Sequence, residues 1–474
     1  MLRAAPYFVV RLSACRNATY EWQLIGVEGN GRCFFAVGSV YATGNRKERS
    51  IPGVGGRVVT GESMRTPAAT ILRDSSSRVV SIDAARGSAM LFVCLAHFTN
   101  SYFFLNGQER IGDKLVAIGM LASPTFVTIS GLVAGFLAVT CRSSFPDLRR
   151  KLVDRGLFLL LAGHLILAGT GKGFVHAYRV EYITDAIGFA VLFGPWLVAT
   201  LAARSRLLLA ATILALDWCA ILLWVPSDGI PALAKQFLVG AVDRGRWEDT
   251  GGGFALIPWF AVYVVGTVIG ERVGTYYASK RPRAAHLFLA WAGITSVMCA
   301  LAAKIGSHFL MRTAPLFAQA HATILHFLSL YQKFPPGPVY LCFFGGAGML
   351  LVAAVLEAGH IGIAPWLMNE LRQLGQASFF VYVIQFYVYG VVLHALRLPY
   401  TPFWPLIFLF TIALLVLVAT AWNWKEGNRF LTVGIGALLD RAAPRRRDIR
   451  HRPIAVAPFH LRTLLHSLRG GSNL

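Results

Sequence analysis

The chain of 474 residues is 55% hydrophobic with a mean hydropathy of +0.56, which excludes a soluble domain of this length. A formal net charge of +22 would suit nucleic acid, but no aromatic-and-basic recognition module accompanies it, and nucleic acid is not expected as a partner. The lysines and arginines gather instead between membrane-length apolar runs, the pattern of a polytopic helical membrane protein.

Residues 1–77 differ in kind from the rest. They mix Gly, Ser and Arg, as in Gly44-Asn-Arg-Lys-Glu-Arg-Ser50 and Gly53-Val-Gly-Gly-Arg57, with no sustained period. The expectation is a disordered N-terminal extension. Phe8-Val-Val10 is too short for a signal-peptide core, and Arg11 interrupts it. Leu12-Ser-Ala-Cys15 resembles a lipoprotein cleavage site, but cleavage there would put the N-terminus outside, against the charge distribution. Met64 offers an alternative start, in which case residues 1–63 are absent from the native protein. N-terminal sequencing that finds residue 1 retained rules that start out.

From Ala84 onward the sequence predicts about ten membrane spans. They fall at 84–105, 116–140, 156–171, 185–203, 206–226, 254–273, 286–303, 337–357, 376–396 and 402–424. With the N-terminus inside, the cytoplasmic segments collect Arg142, Arg149, Arg150, Lys151, Arg155, Arg204, Arg206, Arg272, Lys280, Arg281 and Arg283. A basic tail over 426–474 adds Arg441 through Arg452, and the opposite side is poorer in cations. Both termini therefore come out cytoplasmic. The fold expected for 78–425 is an all-α transmembrane bundle in a bacterial inner membrane. The longer outward loops, 227–253 and 304–336, carry Asp243-Arg-Gly-Arg-Trp-Glu-Asp249 and His308, His321 and His326. They read either as solvated connectors or as a surface that receives a polar acceptor. Seven cysteines, scattered and odd in number, form no Cys-x-x-Cys pair. The sequence thus predicts no disulfide framework and no metal site.

The chemistry centres on the first span. Arg86 and His97 are eleven residues apart, which is three helical turns plus about 20° and roughly 16 Å of rise. The two share one face, with the guanidinium at the membrane boundary and the imidazole near mid-depth. An imidazole there can exchange a proton, or simply bond a neighbouring helix. Arg86 can grip a pyrophosphate or carboxylate, or anchor the span, and Asp83 three residues earlier can orient it. Ser130, Gly131 and Gly135 favour close helix packing. Arg155 can face a phosphate as the third span begins, and His164 is a second, weaker intramembrane imidazole. Asp217, alone in an apolar run, is expected to face the bundle interior. Pro258-Trp259 opens the sixth span, Lys333-Phe-Pro-Pro-Gly leads into the eighth, and Tyr382 and Gln385 share a helix face in the ninth.

Several of these segments, in order, resemble the heparan-alpha-glucosaminide N-acetyltransferase-like branch of the type 3 membrane acyltransferase clan. They are Arg78-Val-Val-Ser-Ile-Asp-Ala-Ala-Arg-Gly through His97, the helix Ser123–Gly135, Leu152-Val-Asp-Arg-Gly-Leu, Ile257-Pro-Trp259, Lys333-Phe-Pro-Pro-Gly and Leu374-Gly-Gln-Ala-Ser-Phe-Phe-Val-Tyr382. The resemblance implies an enzyme that moves an acyl group, acetyl or another, from cytoplasmic acyl-coenzyme A to a hydroxyl or amine of a glycan or glycolipid across the membrane. His97 matches the clan's essential histidine and Arg86 its arginine. The further candidate substrate contacts are Asp83, Arg155, Trp259, Lys333, Tyr382 and Gln385, and Gln385 departs from the histidine that clan members often carry there. Membrane lipid is the surrounding partner and no metal is required. His97 can act as general base or as a transient acyl carrier. The alternatives are a succinyltransferase acting on periplasmic glucans and a proton-coupled transporter without enzymatic activity.

Overall fold

The computed structural model describes residues 9–13, 19–23, 80–103, 106–170, 180–224, 226, 229–240, 253–313, 327–396 and 398–434. The chain divides into two compact units, Met1–Asp74 and Ser75–Leu474. In the first, β1 (Val9–Ser13) and β2 (Thr19–Gln23) pair antiparallel, Val10 opposite Trp22 and Leu12 opposite Tyr20. The remainder of 1–77, Met64 included, lies outside the described residues, as do Asp243–Asp249, His321, His326 and the tail beyond 434.

The second unit is all-α, as composition requires of a chain in lipid, where each backbone polar group must be bonded within its own segment. It runs α1 (Val80–Tyr102), α2 (Glu109–Gly119), α3 (Ala122–Thr140) and α4 (Phe145–Phe158). A π-helical turn, Leu159–Gly163, joins α4 to α5 (His164–Thr170). Then come α6 (Ile183–Thr200), α7 (Ala203–Leu223), α8 (Gly229–Leu238), α9 (Leu256–Ala278) and α10 (Pro282–Thr313). Last are α11 (Pro338–Ile361), α12 (Pro365–Gln376), α13 (Ser378–Tyr387), a second π-helical turn at Val388–Leu393, and α14 (Trp404–Trp424). Prolines in the first turn start α4, α11, α12 and α14, where their missing N–H has no helical partner in any case. Gly362, at φ +74°, closes α11 in the left-handed conformation.

Among the described residues nine helical spans are long and apolar enough to cross a membrane, or ten with the bent α12–α13 pair. Each falls on one of the ten segments expected from sequence. Two details differ. Helix α10 continues to Thr313, so Lys304, His308 and Arg312 lie on a helix rather than in a loop. Its extension turns Ile305 and Phe309 outward, 69% and 66% exposed, as a lipid-facing helix would. The ninth span is broken: α12 and α13 meet at 82°. The polar run Asn369–Gln376 cannot enter an apolar layer, and the chain bends at Ala377 before Ser378-Phe-Phe-Val does.

Polar contacts sort the bundle into two ends. At the end where α1 begins, Gln376 Nε2 donates to Asp83 Oδ2 (3.2 Å), Arg206 pairs with Glu271 and donates to Thr267 Oγ1 (2.8 Å), and His286 Nδ1 meets Glu357. At the opposite end, Tyr102 donates to the Pro399 carbonyl (3.0 Å), Trp218 to the Pro336 carbonyl (3.3 Å), and His164 meets Asp185. Asp217 is 2% exposed and faces the interior, as expected. Cys94, Cys141, Cys219, Cys299 and Cys342 are free thiols.

Helix–helix contact in lipid depends on close approach rather than on hydrophobic expulsion from water. An extensive seam joins α3 to α9 through two facing Gly-x-x-x-Gly pairs, Gly131/Gly135 and Gly266/Gly270. A Cβ on Gly131 would collide with the Tyr263 carbonyl oxygen, on Gly135 with that of Thr267, on Gly266 with that of Thr128, and on Gly270 with that of Leu132. Gly135→Val should therefore lower the melting temperature of the protein in detergent, by the equivalent of about 1–3 kcal/mol or more. Gly345→Ala, where an added Cβ meets nothing within 4 Å, should leave it unchanged or slightly raised. Equal effects from the two substitutions would sink this account of the seam.

Candidate active site

Helix α1 is held at the site by a second glycine seam. Gly87 lies on the Leu371 carbonyl of α12, and Gly375 of α12 lies on the Asp83 carbonyl of α1. Two motifs almost 300 residues apart in sequence, Asp83–Gly87 and Leu374–Gln376, thereby meet. The seam and the Gln376 amide fix Asp83 and Arg86 at the mouth of a cavity of about 480 Å³. A cavity of this volume is typical of a small-molecule site.

The cavity has one charged end and one apolar end. Asp83, Arg86, Lys151 and Arg155 line the first. Met90, Val93, Phe126, Leu159, Ile187, Val191, Phe379 and Tyr382 line the remainder. Tyr263 and Thr184 also line it; their hydroxyls are buried and without a hydrogen-bond partner among the described residues. The absence of a Cβ at Gly194 makes room for the Tyr263 ring. Ser130 lines the wall with its hydroxyl turned back to the Phe126 carbonyl (2.8 Å). On α1 the lining follows one stripe, Asp83, Arg86, Met90 and Val93, whose next member by helical spacing is His97.

His97 lies just beyond the cavity. Its ring is half-buried against Phe386 (centroids 4.7 Å apart) and edge-on to Tyr382 (6.0 Å), and Tyr382 and Phe386 pack on each other (5.2 Å). Tyr382 therefore stands between the cavity and the imidazole. Lys333 is within electrostatic reach of His97, its ammonium over the Phe254 and Phe334 rings (5.2 and 5.0 Å). Burial lowers the Lys333 ammonium to about 8. Trp259 is fully buried beside Phe254 (5.7 Å) and does not line the cavity. Gln385 is also fully buried, its amide without a hydrogen-bond partner among the described residues, and it too lies off the lining.

The structure thus brings Asp83, Arg86, Arg155 and Tyr382 to one cavity and sets His97 and Lys333 beyond it. It also adds groups that sequence spacing does not connect. His164 Nδ1 lies 2.9 Å from Asp185 Oδ2, and that same oxygen accepts the Tyr182 backbone N–H (2.8 Å) as the cap of α6. Asp185 and Tyr182 are within electrostatic reach of Tyr382. Glu181, 2% exposed, lies beside this pair, and its backbone carbonyl accepts from Phe254 N (3.4 Å).

Residues 78–284 match the family described as heparan-alpha-glucosaminide N-acetyltransferase, catalytic. That region of the chain is heparan-alpha-glucosaminide N-acetyltransferase-like. The match covers α1 through α9 and with them Asp83, Arg86, His97, Arg155, His164, Asp185 and Trp259. Lys333, Tyr382 and Gln385 lie beyond it, and it is the folding of α13 against α1 that brings Tyr382 to the matched region. No curated protein matches the chain.

Burial pushes the Glu181 carboxyl up from 4.5 to about 7, and the charge of Asp185 adds to the rise. A raised carboxyl contributes stability that is complete at acid pH and lost as pH rises through its folded-state value. The melting temperature of the wild type should therefore fall between about pH 5 and pH 8. Glu181→Gln, neutral throughout, should remove that component of the fall. A wild-type and variant pair whose melting curves shift in parallel across this range would refute the assignment.

Proposed function

We propose that the chain is an integral membrane acyltransferase. It takes an acyl group, acetyl foremost, from cytoplasmic acyl-coenzyme A and delivers it to a hydroxyl or amine of a glycan or glycolipid at the opposite side. The observation that carries this reading is the polarity of the cavity: Arg86, Lys151 and Arg155 at its mouth, an apolar bore, and His97 behind Tyr382. The mouth lies at the end richer in arginine and lysine, which the positive-inside rule assigns to the cytoplasm. Guanidinium and ammonium groups there suit the phosphates of coenzyme A. The pantetheine arm, largely apolar, suits a bore lined mostly by apolar side chains.

In this reading the thioester comes to rest near Tyr382, one helical turn short of His97. The acceptor heteroatom attacks the acyl carbon, the carbon–sulfur bond breaks, and coenzyme A leaves as the thiol with one proton. His97 serves the transfer as base or as acyl carrier. Asp83, held by Gln376, positions Arg86. The family's own acceptor is an alpha-glucosaminide, so amino sugars head the substrates to try, with periplasmic glucans and succinyl donors as the variant within the same chemistry.

A proton-coupled transporter is the second reading. Two observations favour it: the bent α12–α13 pair, a broken span of the kind transporters use, and the intramembrane His164–Asp185 pair. Purified protein in detergent, incubated with labelled acetyl-coenzyme A, separates the two. The acyltransferase reading predicts saturable binding and release of free coenzyme A. His97→Ala should reduce turnover by about 10²–10⁴. Arg86→Ala should weaken donor binding by roughly 10- to 100-fold, the loss of a charge-assisted contact. Folded wild type that neither binds nor turns over acyl-coenzyme A would transfer the case to the transporter.

A further inference from the structure

The membrane portion holds a second imidazole in a different setting from the first. His97 is surrounded by aromatic rings and makes no hydrogen bond among the described residues, whereas His164 has its Nδ1 on a carboxylate. That carboxylate is itself immobilised: Asp185 Oδ2 accepts the Tyr182 N–H while facing His164, so the imidazole is oriented by a group that the cap of α6 holds still. A carboxylate on one ring nitrogen fixes the tautomer and supports positive charge on the ring, which is what a general base needs.

The backbone around His164 departs from regular helix. The π-helical turn Leu159–Gly163 ends at His164, whose N–H bonds back to the Leu159 carbonyl, and such turns concentrate at functional sites. The turn carries both the cavity and the pair, since Leu159 lines the cavity five residues before His164. Tyr182 packs edge-on to the His164 ring (5.8 Å), and Tyr182 and Asp185 act electrostatically on Tyr382, which touches His97. The two histidines thus flank Tyr382 from different helices, at the end of the bundle opposite Arg86.

We propose that the His164–Asp185 pair, rather than His97, takes the proton of the acyl acceptor at this far end of the bundle. The proposal rests on the acyltransferase reading. As the acceptor O–H or N–H attacks, the bond from its heteroatom to the acyl carbon forms and its proton passes to His164. The bond from the acyl carbon to its leaving group breaks, and that electron pair ends on the coenzyme A sulfur, which water protonates. His164 then returns its proton to solvent at the far end. Asp185 is a positioning residue that acts through His164.

The test uses the full chain in detergent with acetyl-coenzyme A. Glucosamine and glucose serve as amine and hydroxyl probes, with water as the acceptor if neither sugar is acylated. His164→Gln should lower kcat by about 10²–10⁴ while the acyl-coenzyme A Kd and the melting temperature stay at wild-type values. Added imidazole should restore turnover to His164→Ala, a rescue that a merely structural histidine would not show. Asp185→Asn keeps an oxygen for the Tyr182 N–H and should also lower kcat. Should His164→Gln misfold, the imidazole rescue of His164→Ala decides alone. Wild-type kcat in folded His164→Gln, or no rescue of a folded and impaired His164→Ala, overturns the proposal. Wild type that neither binds nor turns over acyl-coenzyme A overturns the reading beneath it, and the two failures are distinct.

Discussion

Everything at the site depends on how closely α1 can approach its neighbours. Gly87 and Gly375 let α1 and α12 touch backbone to backbone, each glycine seated on a carbonyl of the other helix. A side chain at either position would push the helices apart and carry Asp83 and Arg86 away from Gln376 and the cavity mouth. The α3–α9 seam does the same for the opposite wall, where Tyr263 stands. In lipid, where apolar surface gains little by leaving its surroundings, such close contact is the main source of cohesion, and the cavity is the space the two seams leave between them.

Within that frame the polar groups are segregated along the membrane normal. Around the cavity, Asp83 and three cations hold the mouth, apolar side chains with Tyr263 and Thr184 line the bore, and the His164–Asp185 pair lies beyond Tyr382. An aromatic cluster of His97, Tyr382 and Phe386 separates the two compartments. A donor and an acceptor arriving from opposite sides would meet at these rings. On the proposed reading, each half of the transfer would have its own electrostatic environment.

Much of this was legible in the sequence. The ten apolar segments announce themselves by length and composition, and the Arg86–His97 stripe follows from helical spacing alone, which the cavity lining reproduces from Asp83 to Val93. What spacing could not supply was contact between helices. His164 and Asp185 are 21 residues apart across a turn, and nothing in either apolar run marks them as partners. Glu181 and Tyr263 were missed for the same reason. Conversely, Trp259 and Gln385 sit in motifs that resemble the family, yet neither lines the cavity. A contiguous motif spreads its residues around a helix at about 100° each, so only part of it can face one site. The bent pair was hidden because α12 is too polar to be read as part of a span, so the expected ninth span, 376–396, begins at the break itself.

The π-helical turn before His164 has a consequence for how this protein can tolerate change. A π turn is equivalent to one extra residue accommodated in an α-helix. Deleting any one residue from Leu159–Gly163 would restore regular geometry at almost no cost to span length. Because the wider turn absorbs that residue, the helix before it and the helix after it would each keep its face, with His164 still turned to Asp185. A one-residue deletion is therefore better tolerated inside this turn than in the regular helix on either side, where it would rotate all that follows by about 100°.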